Sequence, residues 1–325
     1  FIRGAEEKGV ATSLKHFAGN SQETKRFTSD SVIDERTLRE IYLTAFEIAV
    51  KEGRPETVMC AYNKINGIHC SDNEKLLTDI LRKEWGHQGI VVTDWGAMND
   101  RIEGFKAGCD LSMPGGSDYM EDDVAKAVRS GALAEEIIDE NVDRMIELIL
   151  QSAARLQKDA TFDLDAHHEM AREAAREGIV LLKNKNHILP LQEGTKVALI
   201  GKMAEKIRYQ GAGSSHINPT KLVQPKDVIS HVAFAVGCDE RGNTDENLIK
   251  EAEQAARTAE VAVVFAGLTE VYESEGFDRK DMRMPEGHVR MIEAVASANP
   301  NTIVVLMCGS AVECPWMDEV SGVLY

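Results

Sequence analysis

The stretch Gly89-Ile90-Val91-Val92-Thr93-Asp94-Trp95-Gly96-Ala97 runs four strand-forming residues straight into an acid, an indole and a glycine. A short apolar run bounded by turn residues predicts a strand buried on both faces, as in a parallel sheet. Parallel strands need long crossovers, usually helices, so this stretch commits the chain to an α/β architecture. A carboxylate at the carboxyl end of such a strand stands where barrel enzymes keep their chemistry. Asp also caps helices well, and a helix beginning near Met98 would accept one. Position alone supports cap and catalyst evenly.

The rest of the first half repeats the pattern. Residues 10–17 read as a strand ending in Leu14-Lys15-His16-Phe17. Residues 34–52 read as an amphipathic helix with Leu38, Ile41, Tyr42, Ala45, Ile48 and Ala49 on one face and Gly53 as its stop. Residues 57–62 are strand-like, and Ser71 and Glu74 are spaced as a capping box for a helix burying Leu76, Leu77, Ile80 and Leu81. After the Asp94 strand and a short helix comes a fourth unit at residues 108–115. Alternation at this pace predicts a parallel sheet with right-handed crossovers. Four units are half of an eight-stranded barrel, which takes ~250 residues. The expectation is the C-terminal half of a (β/α)8 TIM-type barrel over residues 1–158, with its front half outside this chain.

Helices over 133–157 and 166–177 flank a polar hinge at 158–165. Beyond it, strands at 197–200, 232–236, 261–266, 302–307 and 322–325 alternate with helices at 246–258 and 286–298. This predicts an α/β sandwich domain over 159–325 with a mainly parallel sheet, stopping in mid-strand.

A net charge of −17 argues against nucleic acid or an anionic membrane as partner, since both demand basic patches. A neutral small-molecule ligand fits better, and homo-oligomerisation is left open. Cys60, Cys70, Cys109, Cys238, Cys308 and Cys314 are scattered without metal-ligand spacing, which points to free thiols and a reducing, cytoplasmic compartment. No apolar run approaches the ~20 residues of a membrane span.

Strand ends carry the candidate chemistry: Lys15-His16, Tyr62 and Asp94-Trp95 in the first half. In the second half they are the acidic loop from Gly267 to Arg279 and Gln210-Gly211-Ala212-Gly213-Ser214-Ser215-His216. Singly, each has a plain explanation as surface or core. The glycine pair is not a dinucleotide loop, because His216 holds the third glycine position and the segment lies some ten residues past its strand.

Together, Lys15-His16-Phe17-Ala18-Gly19-Asn20, Met59-Cys60-Ala61-Tyr62-Asn63-Lys64-Ile65-Asn66-Gly67 and Val92-Thr93-Asp94-Trp95-Gly96 resemble the barrel signatures of glycoside hydrolase family 3. Val180-Leu181-Leu182-Lys183-Asn184, Ile188-Leu189-Pro190-Leu191, Gly211-Ala212-Gly213-Ser214-Ser215 and Glu273-Ser274-Glu275-Gly276-Phe277-Asp278-Arg279 continue the likeness in the family's order. Asn20 departs from the Gly-His of the N-acetylglucosaminidase branch and favours the two-domain β-glucosidase branch.

The resemblance implies a retaining exo-β-glycosidase, a β-glucosidase first. A β-xylosidase, an α-arabinofuranosidase, a phosphorylase or an inactive sugar-binding homologue are the alternatives. Retention takes two carboxyl groups about 5–5.5 Å apart. By resemblance Asp94 is the nucleophile and Glu275 the acid/base, with Glu273 its rival. Lys15, His16 and Arg26 match residues that bind sugar hydroxyls, Tyr62 orients the nucleophile, Trp95 offers a packing face and Ser214 lines the cleft. The chemistry needs no metal or organic cofactor. Family members draw a further Asp and Arg from earlier barrel strands, and nothing here matches those.

Overall fold

The first half holds β1 (Ser13–Phe17), β2 (Asp30–Ser31), β3 (Thr57–Cys60), β4 (Lys64–Ile65), β5 (Ile68–His69) and β6 (Ile90–Thr93), of which β3 and β6 are the β-branched, apolar runs that favour strand. The structure, a computed structural model, describes residues 1–115 and 118–325 and divides into two units, Phe1–Ala160 and Thr161–Tyr325. In the first unit β1, β3 and β6 pair in parallel in that spatial order, with β3 and β6 in register from Thr57↔Ile90 to Cys60↔Thr93. β6 is buried along its whole length, as its unbroken run predicts. Asp94 is the next residue.

The fourth expected strand is reduced to one parallel bridge, Val92↔Leu111. Side chains take over part of its pairing. The Val91 N–H donates to Asp110 Oδ2 at 2.6 Å, the Met113 N–H donates to Thr93 Oγ1 at 2.8 Å, and Pro114 has no N–H to extend a ladder. The buried Asp110 carboxylate also accepts from Arg82 Nη2 at 2.6 Å and Arg144 Nε at 2.8 Å, which balances its charge. The main sheet of this unit is thus open and three-stranded.

Two local expectations are corrected. In the helical segment 35–53 the inward side chains are Leu38, Leu43 and Val50, while Ile41 and Ile48 are exposed. Leu38–Tyr42 and Ala49–Gly53 are wound as wider π turns, with the Leu43 N–H reaching back to Leu38 O, so the inward face drifts off the 3.6-residue period. Ser71 and Glu74 form no capping box: Ser71 Oγ donates to Asp72 Oδ1 at 2.7 Å. Asn73 caps instead, its Oδ1 accepting from the Leu76 N–H at 3.0 Å.

A small sheet, β2-β4-β5, is turned by Asn66-Gly67, both at positive φ (51° and 89°), as a tight hairpin requires. It anchors the end of the 20–31 segment, because the Lys64 N–H donates to Ser29 O at 2.8 Å. Asn63 is buried beneath it and donates to Ala18 O and Gly19 O at 3.2 and 3.3 Å.

The second unit contains β7 (Leu181–Asn184), β8 (Val197–Ile200), β9 (Ala233–Ala235), β10 (Val261–Gly267), β11 (Thr302–Met307) and β12 (Gly322–Leu324) in one sheet ordered β7-β12-β11-β10-β8-β9. All neighbours are parallel except β7 on β12, so the sheet is mixed through one antiparallel edge strand. The helices Glu246–Arg257 and Glu286–Ala298 bring Ala252, Ala256, Met291, Ile292 and Val295 onto Ile200, Val264, Ala266 and Val304. On the other face Leu199, Val263, Phe265 and Ile303 pack with Met203 and Ala204. Strand order reverses between β8 and β10, and crevices outside the carboxyl ends of such strands are where open α/β sheets hold ligands. The loop after β10 is the acidic one.

Candidate active site

Asp94 does not cap a helix. The following helix, Arg101–Ala107, is capped by Asp100, whose Oδ1 accepts from the N–H groups of Ile102 and Glu103 at 2.9 and 3.1 Å. Asp94 is instead held at both oxygens. Oδ1 accepts from Tyr62 Oη at 3.0 Å and from the Trp95 N–H at 2.7 Å, and His16 Nε2 lies 3.3 Å from Oδ2. β1 delivers His16, the end of β3 delivers Tyr62 and β6 delivers Asp94, so parallel register brings three separated residues to one sheet edge.

Burial is the largest influence on the His16 ring and pushes its pKa below the ordinary 6.5, against the upward pull of Asp94. The ring is therefore neutral at pH 7, and it presents a hydrogen-bonding nitrogen to the carboxylate rather than a counter-charge. Tyr62 is itself packed: its ring lies 4.2 Å from that of Phe27, and the Arg26 guanidinium sits 4.7 Å from its centroid. Arg26 also pairs with Glu23 at 3.0 Å. Lys15 is exposed, and Trp95 is 60% exposed, a free indole face beside the carboxylate.

In the second unit Glu275 is half-buried in the loop after β10, and its Oε2 accepts from the Ser214 N–H. Gly213 makes this approach possible: its φ is +93°, and a Cβ there would fall 2.3 Å from Glu275 Oε2. Ser214 thus meets Glu275 through its backbone. Glu273 is differently occupied. Its Oε2 accepts from Arg208 Nη1 at 2.6 Å and the Gly309 N–H at 3.0 Å, and its Oε1 accepts from Ser310 Oγ at 2.6 Å. Burial pushes its pKa up, but the Ser310 and Arg208 hydrogen bonds outweigh that and leave it below the ordinary 4.5. An acid so held stays ionised at neutral pH and has no proton to give.

Sequence reasoning did not single out Phe27, Arg208 or Ser310. An aromatic beside Arg26 in a polar segment was a local signal for Phe27. Arg208 and Ser310 lie 65 and 37 positions from Glu273, and no local pattern marks them. Among the described residues, no group of three or more His, Cys, Asp or Glu could hold a metal ion. No helix of the described residues is long and apolar enough to cross a membrane.

Residues 1–148 match the profile of the glycosyl hydrolase family 3 N terminal domain, and residues 179–325 that of the glycosyl hydrolase family 3 C-terminal domain. A thermostable beta-glucosidase B of Acetivibrio thermocellus is 49% identical over 99% of this chain and 44% of its own length. An exo-alpha-(1->6)-L-arabinopyranosidase of Bifidobacterium longum is 44% identical over 99% of this chain and 44% of its own. The crystal structure of a Bifidobacterium adolescentis beta-glucosidase superposes with a TM-score of 0.93 at 44% identity, over 100% of this chain and 48% of that one. Beta-glucosidase 3B of Thermotoga neapolitana in complex with glucose gives a TM-score of 0.86 at 34% identity, over 100% of this chain and 51% of that one. The chain thus spans about half the length of the relatives it matches.

Proposed function

The chain belongs to glycosyl hydrolase family 3, and from that premise we propose that the whole protein is a retaining, exo-acting β-glycosidase, a β-glucosidase before any other. It removes a terminal sugar through a covalent glycosyl-enzyme. The observation that carries this reading is the setting of Asp94. A nucleophile must be fixed in place and keep a lone pair for the anomeric carbon. Tyr62 and the Trp95 N–H fix one oxygen, and His16 Nε2 stands 3.3 Å from the other.

Glu275 serves as acid/base in this reading, donating a proton to the leaving oxygen and later taking one from water. The occupied, ionised Glu273 supports Glu275 over its rival. Lys15, His16 and Arg26 bind sugar hydroxyls, and such bonds strengthen as the oxocarbenium-like transition state forms. Trp95 packs against a sugar ring. Ser214 positions Glu275 through its N–H as well as lining the site. The parallel β1-β3-β6 sheet, with its crossover helices and the 109–113 segment beside β6, belongs in this proposal to a (β/α)8 barrel, and the second unit to the family's sandwich domain. Buried or half-buried thiols with no disulfide suit a reducing compartment.

A 2-fluoro glycoside incubated with the whole protein should label Asp94, as peptide mass mapping would report; label on another residue refutes the nucleophile. Glu275→Ala should slow poor leaving groups most and recover turnover with azide. The arabinopyranosidase relatives favour a second reading at the level of the sugar alone. A panel of nitrophenyl β-D-glucoside, β-D-xyloside and α-L-arabinosides separates the two, and added phosphate would expose a phosphorylase through a sugar 1-phosphate.

A further inference from the structure

The occupied state of Glu273 raises the question of what its bonds accomplish. The loop that carries Glu275 leaves β10 at Gly267 and returns to the sheet layer only at the helix beginning with Glu286. A span of that length between fixed ends samples many conformations unless something shortens it. Two residues flanking Glu275 do so, both at the same place. Glu273, two positions before, accepts from the Gly309 N–H and from Ser310 Oγ. Arg279, four positions after, donates from Nη1 to Ser310 Oγ and to Ala311 O, both at 2.8 Å. Ser310 is the shared knot, donating its hydroxyl proton to Glu273 while accepting from Arg279. Arg208 completes the closure by donating to both the carboxylate and the backbone carbonyl of Glu273, at 2.6 and 3.1 Å.

We infer that Glu273, Ser310 and Arg279 are positioning residues that cinch the 273–279 segment to the turn after β11, so that Glu275 is presented from a short bow rather than from a long loop. The inference rests on the assignment of Glu275 as acid/base. The bonds at Glu273 and Arg279 are charge-assisted, which makes them strong enough to hold a partly exposed loop. On the bow between them, Glu275 accepts a hydrogen bond from the Ser214 N–H. Misplacing a proton donor by about 1 Å costs up to roughly 100-fold, so the effect of loosening the knot falls on proton transfer.

The test uses the whole protein and two glucosides, one with a poor leaving group that needs protonation and one with a good leaving group that does not. Ser310→Ala and Glu273→Gln are expected to lower kcat/KM, which reports transfer of the sugar to the enzyme, by roughly 10- to 100-fold for the poor leaving group and by less than about threefold for the good one. Ser310→Thr keeps the hydroxyl and should restore most of the loss. Equal losses on both substrates, or none on the poor one, overturn the positioning role, because a general loss of structure does not discriminate between leaving groups. Recovery of Glu273→Gln by azide would also overturn it, by making Glu273 the acid itself. Glu275→Ala with azide is run alongside: if it shows neither leaving-group dependence nor recovery, the acid/base assignment has failed rather than the cinch.

Discussion

Asp94 and Glu275 are both carboxylates at the carboxyl ends of parallel strands, yet they are held by different means. Asp94 follows β6 directly, so the ladder to β3 fixes its backbone and the neighbouring strands supply Tyr62 and His16. Glu275 lies eight positions past the end of β10, where no ladder reaches; Gly213 and Ser214 stand against it, and the 309–311 turn holds Glu273 two positions before it. A strand end needs few accessories to present a side chain; a loop needs cross-ties from elsewhere in the fold. The roles proposed for the two acids give that difference its weight, since both groups must be held in place and only the one on the loop depends on distant ties for it.

The sharpest way to break the comparison is at Asp94. Asp94→Asn keeps the shape and the Tyr62 contact but removes the proposed nucleophile, and kcat of the whole protein should fall by about 10^4-fold or more with the melting temperature nearly unchanged. A small loss, measured with a nitrophenyl glucoside, would remove Asp94 from the chemistry. The support beneath it comes next. Asp110→Asn leaves Arg82 and Arg144 without their buried counter-charge, and urea unfolding should show a loss of about 3 kcal/mol. If stability holds, the strand is not anchored as the geometry indicates.

On the loop side, Gly213→Ala forces a Cβ against Glu275 and demands a backbone conformation that alanine resists. Turnover should fall on the order of 100-fold while circular dichroism stays native. The pH response is smaller, and two histidines of the first unit contribute to it. Burial lowers the pKa of His87 to about 4 and that of His16 below its ordinary value, so the unfolded chain takes up protons near pH 6.5 that the folded one refuses. Stability from these groups is complete above pH 6.5 and is lost as pH falls toward 4, by on the order of 1–3 kcal/mol, measurable as a falling urea midpoint and abolished in part by His87→Gln. The smallest effect is expected for Tyr62→Phe, which deletes one of the two bonds to Asp94 Oδ1 and leaves the packing on Phe27. A loss of about tenfold in kcat, with KM little changed, would fit a bond that steadies the nucleophile.

Much of this was readable from local pattern. The β6 run announced a fully buried strand with an acid at its end, and the limits of β11 and of the Glu286–Ala298 helix follow directly from apolar periodicity. Local pattern failed where competing local choices were close in energy. Asn73 displaced the Ser71 and Glu74 box as cap, and π turns in 35–53 rotated the buried face onto Leu43 and Val50. It also overstated the fourth strand, whose partners on β6 are shared between backbone and the Asp110 and Thr93 side chains.

The sequence by itself determined the α/β class, the strand that ends at Asp94 and the short list of acids, because burial and periodicity are properties of neighbouring residues. Only the tertiary structure decided which of those acids is spent. Arg208 and Ser310 reach Glu273 across 65 and 37 positions and hold it ionised, while Gly213 opens space for Glu275. A carboxyl group's proton affinity depends on the charges and donors around it in space, and the chain brings those together only when the sheet is built.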